Sequence, residues 1–402
     1  MKKLIVTALA VIVFMIPLAC LGVRQNNKDK DKGVVPDSVR KFEADQFLSI
    51  GVDLHKKQMY DSALVIFDKS LEKYPNYYKA MVAIAVTHQD RRDIMSAGDW
   101  YRKIYTVYPD SVEGLLGLSG VYLKLGYSQP EYLDSAKFYY DEGIKKFPNE
   151  SDFYHGLAEV YKQTGGVEAA DSVYKAGIAV NPENLAIRNA YVDFLVGLKR
   201  YKEALEQELI IVKAKPDDPF AQEKLGDIYV KLDMCKEAAE AYGKAKELRP
   251  DKIEIYTKLA NAYLCQKNYT MAENVLKEAI ELDSTKLIPH VYLGVVYMNA
   301  GKEGAAEKEF SYILSKDPNY PDALYFLGAI YARKAGRTVT EKTKEAWQSG
   351  CANARTAENY LNKANSIDPA NNGPRVRQQI EYLTKVRDEL KKKLFLVGIT
   401  DC

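Results

Sequence analysis

Histidine and tryptophan are scarce here, with four His and two Trp in 402 residues, alongside five Cys. His55, His88, His155 and His290 lie far apart, and none belongs to a His-Glu-x-x-His pair. The spacing that sets two imidazoles on one helix face for zinc is therefore missing. The chain has no Gly-x-Ser-x-Gly, no Walker-type glycine loop and no Cys-x-x-Cys. Those absences remove the sequence marks of an acyl-transfer nucleophile, a phosphate cradle and a thiol-redox or zinc site. Charge of one sign is lacking too: 57 Lys and Arg stand against 55 Asp and Glu, a net of +2. A polybasic surface of the kind that holds nucleic acid by bulk electrostatics is excluded.

The first residues read as a targeting signal. Lys2 and Lys3 precede an apolar stretch from Leu4 to Ala19, broken only by Thr7, and a polar run follows from Arg24 to Lys32. That order of charge, apolar core and polar sequel is the layout of a secretory signal. Leu18-Ala19-Cys20 resembles the bacterial lipobox, in which the cysteine is lipidated, although Pro17 stands where an aliphatic residue is usual. Two other readings stay open, an uncleaved anchor of near bilayer-spanning length and ordinary cleavage. All three export the chain, and the first two tether it to a membrane. Residues 21–43 mix charges without an apolar period and are expected to form a flexible spacer.

From there a period governs the sequence. Pro75, Pro109, Pro148, Pro182, Pro216, Pro250, Pro318 and Pro369 punctuate it, mostly 34 residues apart, and Ser284 fills the vacant slot. Upstream of each mark lies a Leu-Gly-x-x-Tyr-like segment, then an Ala and an aromatic. Leu225, Gly226, Tyr229, Ala238, Tyr242 and Pro250 show the set, and Leu293, Gly294, Tyr297, Ala306, Phe310 and Pro318 repeat it. Apolar residues fall three and four apart, so each half-copy predicts an amphipathic helix. The Gly or Ala slots let paired helices approach, and proline ends the second helix of each pair. One hairpin cannot bury its apolar face alone, so stacking is obligatory. Such stacks supply many sites that are apolar along a ring and wet at its tip, which suits the 30 Tyr.

This pattern resembles the tetratricopeptide repeat (TPR) family. The resemblance implies an all-α fold, a right-handed superhelical solenoid of about nine helical hairpins with a C-terminal capping helix. The copies are expected at 44–77, 78–111, 112–150, 151–184, 185–218, 219–252, 253–286, 287–320 and 321–371, with cap and tail at 372–402. The cap helix is expected after Pro374, with Val376, Ile380, Leu383, Val386, Leu390 and Leu394 on its buried stripe. Three places depart from the pattern. Extra residues near 127–133 lengthen one inner turn. Extra residues at 332–350 predict a long, projecting second helix in the ninth copy. The fifth copy carries Arg188, Val192 and Glu208 where an aromatic, a glycine and an aromatic are usual, and a locally weaker stack is expected there.

In TPR proteins the first helices line a concave channel that holds extended peptides or partner helices, so the resemblance places a partner-binding groove here. Residues 34 apart form its columns. One column runs His155, Asn189, Glu223, Thr257, Val291 and Tyr325, and another Glu159, Asp193, Asp227, Asn261, Val295 and Ala329, with Met298 and Phe326 reinforcing the apolar end. The columns pass from acidic and amide to apolar, which fits a basic or amide-rich segment anchored by an apolar pocket. Equally, the carboxylates can pair with Lys224 and Lys258 and leave a solvated face. Leu48 and Val52 stand where a carboxylate clamp for chaperone tails would begin, so that partner class is not expected.

Cys235 and Cys265 sit at inner-turn ends of consecutive copies, Cys351 opens the second helix of the ninth, and Cys402 follows the cap. An oxidising compartment permits disulfides, and Cys351 and Cys402 are candidates for a bond fastening the cap or stay free thiols. Cys235 and Cys265 are left as a second pair or as buried thiols. The expected function is a non-catalytic scaffold of the bacterial cell envelope, with a protein or peptide partner and no cofactor, metal or nucleic acid. The alternative is a module that binds a peptide, glycan or cell-wall fragment beside an enzyme system.

Overall fold

The computed structural model describes residues 36–402. Cys20, the signal segment and residues 21–35 of the spacer lie outside the described residues, and the rest of the expected flexible spacer is instead helical from Asp37, a correction to that boundary. Those described form nineteen helices and no strand. They fall into two compact units, one through Gly114 and one from Leu115.

The first unit holds α1 (Asp37–Lys56), α2 (Tyr60–Lys73), α3 (Tyr78–Asp90), α4 (Ile94–Val107) and the start of α5 (Val112–Gly126). Its core joins Ala44, Ala63, Phe67, Tyr77, Ala80 and Ile84. The Ser70 hydroxyl donates to the Ala44 carbonyl at 2.7 Å and ties α2 to α1.

The second unit continues in hairpins. These are α6 (Tyr132–Lys146), α7 (Ser151–Gln163), α8 (Val167–Val180), α9 (Leu185–Gly197), α10 (Tyr201–Ala214), α11 (Pro219–Lys231) and α12 (Cys235–Leu248). Then follow α13 (Ile253–Cys265), α14 (Tyr269–Leu282), α15 (Leu287–Asn299), α16 (Glu303–Lys316), α17 (Pro321–Thr338), α18 (Lys344–Ile367) and α19 (Pro369–Phe395).

The turns repeat as faithfully as the helices. Gln58, Arg92, Gly165, Lys199, Asp233, Lys267 and Gly301 all take positive φ, between 57° and 78°. The residue after each donates its N–H to the carbonyl five residues back, as Met234 does to Tyr229 at 2.9 Å and Lys302 to Tyr297 at 2.8 Å. This is the Schellman closure of a helix, normally a glycine position. Between hairpins, proline occupies the second position of a β-turn closed by a bond such as Asp218 N–H to Lys215 O at 3.2 Å. The turn from α5 to α6 spans 127–131, as its extra residues predict, and equals the 339–343 turn of the last hairpin, whereas the other hairpins turn in three residues.

Packing follows a small-against-large rule. A Cβ on Gly226 would lie 2.5 Å from the Tyr242 ring, and one on Gly294 would lie 2.5 Å from that of Phe310. Several tyrosine tips find carboxylates. Tyr78 donates to Glu113 at 2.6 Å, Tyr191 to Asp171 at 2.8 Å and Tyr297 to Glu273 at 3.1 Å. Bonds from Lys277, Lys302 and Tyr297 outweigh partial burial and hold Glu273 down at about 2.

The α9–α10 hairpin keeps the packing rule by exchanging its terms. Val192 fills the small slot and Glu208 the large one, and both are fully buried. The surrounding core is continuous through Tyr174, Tyr191, Val192, Phe194 and Leu195. The Arg188 guanidinium donates to the side chain of Gln207 at 2.5 Å and to the Pro182 carbonyl at 3.0 Å. Both Glu208 oxygens are buried without a hydrogen-bond partner, and burial pushes this carboxyl up to about 7. A folded-state value raised above the ordinary 4.5 favours folding of the protonated form. That contribution is complete below about pH 4.5 and is lost as pH rises to about 7. Glu208→Gln should therefore match the native protein at low pH and gain on the order of 2–3 kcal/mol over it by pH 8. A stability gap that stays constant from pH 4 to pH 8 would contradict this.

The C-terminal end differs from expectation in two ways. The cap helix starts at Pro369, before Pro374, because the Asp368 side chain accepts from the Asn371 N–H at 3.2 Å and Pro369 suits the first helical position. Pro374 is thus inside the helix. The 24-residue α18 does not project. Its extra turns pack on α17 and α19, where Cys351, Ala354 and Leu361 share a core with Val376, Leu383, Val386, Leu390 and Leu394.

Candidate partner-binding face

The first helices α7, α9, α11, α13, α15 and α17 carry the two predicted columns, and the structure shows how each side chain is held. On α7, Glu159 accepts from Lys162 at 2.7 Å and from the Tyr174 hydroxyl at 2.6 Å, with His155 Nε2 3.9 Å away. On α9, Asp193 and Asn189 face Lys224 of α11, whose ammonium donates at 2.6 Å and 3.5 Å. On α11, Glu223 and Asp227 face Lys258 of α13 at 2.7 Å and 2.9 Å, and Tyr242 donates to Asp227 at 2.6 Å. Lys224 and Lys258 occupy the same repeat position, so each reaches back to the carboxylates of the preceding hairpin. The acidic half is therefore a ladder of alternating charges. Partly exposed pairs of this kind contribute less than about 1 kcal/mol each to stability. Their effect is to fix where the charges stand.

Environment tunes these groups. Burial alone would raise Glu159, but the bonds from Lys162 and Tyr174 outweigh it and leave the carboxyl below its ordinary value. Burial lowers His155, opposed only in part by Glu159 and Asp152, so the imidazole is neutral at pH 7. Burial opposes the charge on Lys258, yet Asp227 and Glu223 raise it above the usual ammonium value. Tyr174 and Tyr242 are pushed up by burial and by the carboxylates they bond.

The apolar end is less open than its sequence suggests. Val291 is 9% exposed and belongs to the core, a correction to its place in the column. Val295 and Met298 are half-buried against that same core. Phe326 stacks on Phe310 with centroids 5.0 Å apart, and Tyr325 lies beneath the Arg375 guanidinium of α19 at 4.4 Å. These residues show edges to solvent while their faces support the stack. Asn261 and Asp193 are the exposed members, and the Asp193 side chain is 65% accessible.

Comparison with known families agrees with this geometry. Profiles described as tetratricopeptide repeat match residues 155–219 and 253–286, and one described as TPR repeat matches 226–267. The chain is a tetratricopeptide-repeat protein. It is similar to the type IV pilus assembly protein PilF of Pseudomonas aeruginosa, 24% identical over 38% of this chain and 61% of that one. It is also similar to the human protein O-mannosyl-transferase TMTC3, 24% identical over 41% of this chain but only 20% of the relative. The chain thus spans less than two thirds of the length of these relatives. Among solved structures it is similar to a tetratricopeptide repeat protein from Parabacteroides merdae, 15% identical with a TM-score of 0.42, over 63% of this chain and 99% of that one.

Within this TPR array, Lys162, Tyr174 and Tyr242 hold the column carboxylates, and sequence columns alone miss them. A signal for two of them is present: Tyr174 follows Glu159 by 15 residues, as Tyr242 follows Asp227. The aromatic slot of the second helix reaches under the first and meets the groove from below. Cysteines complete the TPR stack. Cys351 and Cys402 are bridged with Cα atoms 5.1 Å apart, and Cys235 and Cys265 with Cα atoms 6.0 Å apart. The second pair links the first residue of α12 to the last of α13. Among the described residues, no cluster of His, Cys, Asp and Glu could hold a metal, and no helix is long and apolar enough to cross a membrane.

Proposed function

We propose that this protein is an exported, membrane-tethered and non-catalytic scaffold that holds an extended segment of a partner protein along its first-helix groove. The ladder on α7, α9, α11 and α13 carries the reading. It presents carboxylate, amide and ammonium groups at one repeat interval, in positions fixed by tyrosines beneath and lysines beside them. Polar groups set at a regular spacing complement a peptide backbone and its side chains, and charge complementarity selects the segment that docks. The pairing of all four cysteines among the described residues favours an oxidising compartment, as does the lipobox-like Cys20. Similarity to a pilus assembly protein supports a role in building an envelope complex.

The test is crosslinking in cells from a photoreactive residue at Asn261, with Glu206 on a second helix as control. One partner should be captured from Asn261 and not from Glu206. Reversing Glu159, Asp193 and Asp227 to Lys should lower that yield at least ten-fold in a protein that melts normally. Unchanged capture would remove the groove from the function. A labelled fatty acid that enters the native protein but not Cys20→Ser would support the lipid tether.

A further inference from the structure

The α9–α10 hairpin sets its own chemistry beneath the groove. In the flanking hairpins the large slot holds Tyr174 or Tyr242, and each hydroxyl donates upward to the groove carboxylate of its own hairpin, Glu159 or Asp227. Glu208 occupies the same slot with a shorter side chain, and its carboxyl feels the charge of Asp193. It is fully buried, and neither oxygen has a partner. Asp193 therefore lacks the tyrosine bond from below and rests on Lys224 alone, at 2.6 Å. The charges that face Glu208 are Lys224 of α11, then Asp193 of α9, then Asp218 at the start of α11. Lys224 thus acts on both an open carboxylate, which it bonds, and a closed carboxyl, which it does not.

We propose that this point of the groove receives a cationic side chain, Lys or Arg of the partner segment, which takes Asp193 while Lys224 turns down onto Glu208. The proposal rests on the groove reading above and names the chemistry of the segment held there. The exchange keeps every charge paired. The incoming cation gains the exposed Asp193, the displaced ammonium gains a buried carboxylate, and the proton that Glu208 held leaves to solvent. Buried carboxyls without hydrogen bonds favour the neutral form, and a cation brought against one reverses that preference. Binding and deprotonation are therefore linked. A basic segment binds more tightly as pH rises through the range in which Glu208 gives up its proton.

The probe is a dodecapeptide of three Gly-Arg-Ser-Ala units, with the same peptide carrying citrulline for arginine as the neutral shape control. Calorimetry at low salt in two buffers of different ionisation enthalpy reads affinity and proton release together. The arginine peptide should bind about ten-fold more tightly at pH 8 than at pH 6 and release protons near pH 7. The citrulline peptide should show neither effect. Glu208→Gln keeps the side-chain shape and should bind the arginine peptide with the pH dependence and proton release abolished. Asp193→Asn should weaken binding at every pH.

Wild-type binding that ignores pH, or a Gln variant that keeps the dependence, overturns the exchange. Absence of any binding by the arginine peptide overturns the cationic receptor, and capture from Asn261 judges the groove separately. A purely structural role for Glu208 would move the melting temperature with pH but not the discrimination between arginine and citrulline.

Discussion

Replacing Phe310 by alanine should remove about 3–5 kcal/mol from the α15–α16 hairpin, the largest loss expected from a single truncation here. The ring is fully buried, lies against Gly294 and stacks on Phe326. Its removal therefore opens a cavity that touches two consecutive hairpins. Helix backbones close to each other through a glycine cannot collapse into that space without shifting the whole stack. Because each hairpin contacts mainly its neighbours, the damage should be regional. Hydrogen exchange should accelerate in α15, α16 and α17 while α7 to α10 keep their protection. Uniform acceleration, or a loss below about 1 kcal/mol, would show that the slot is not the joint this packing implies. Gly294→Val should fail in the opposite sense, by overpacking against the same ring.

Loss of the Cys351–Cys402 bridge should be the second large effect. The two residues are 51 apart in sequence, and a closed loop of that length restrains the unfolded chain by about 4 kcal/mol. The bridge holds the tail against α18, where Leu390, Leu394 and Cys351 share one core. Serine at both positions should release α19 and the last turns of α18 first. Far-ultraviolet dichroism should then show an early, separate transition that is absent from the native protein. Reducing agent added to native protein should reproduce it. A single cooperative melt unchanged by the double substitution would mean that apolar packing alone seats the cap. Mass spectrometry without reduction should find Cys351 joined to Cys402 and Cys235 joined to Cys265.

How much of this was readable in advance depended on whether a feature repeats. The hairpins and their small and large slots announce themselves because Gly226, Gly294, Tyr242 and Phe310 recur in register. The partners of the groove carboxylates were half legible. Lys224 and Lys258 stand at one repeat position, so their pairing with the preceding copy follows from the period. Tyr242 reads from the pattern only as the aromatic of its copy, and nothing in apolar periodicity says that a buried ring such as this or Tyr174 carries its hydroxyl through to a carboxylate on the first helix. Val291 went the opposite way, because a column position on a helix does not report how closely the next helix covers it. Non-repeating features were the least legible. Pro374 reads as a helix breaker, whereas Asp368 and Pro369 start the helix early enough to enclose it. Glu208 could be recognised as out of pattern. Its missing partners could not, since those depend on what Val192 and Lys224 leave within reach.

The uniform inner turns carry a consequence for how such a chain can change. Lys199 and Asp233 adopt one backbone handedness and close with one hydrogen-bond pattern, and they lie 34 positions apart. Splicing from one to the other would delete a whole hairpin and return the remaining helices to equivalent surroundings. Duplication between the same points would lengthen the array just as smoothly. Gain or loss of entire modules is therefore the mild event in this architecture, whereas adding one residue inside a helix would rotate every later side chain away from its partner.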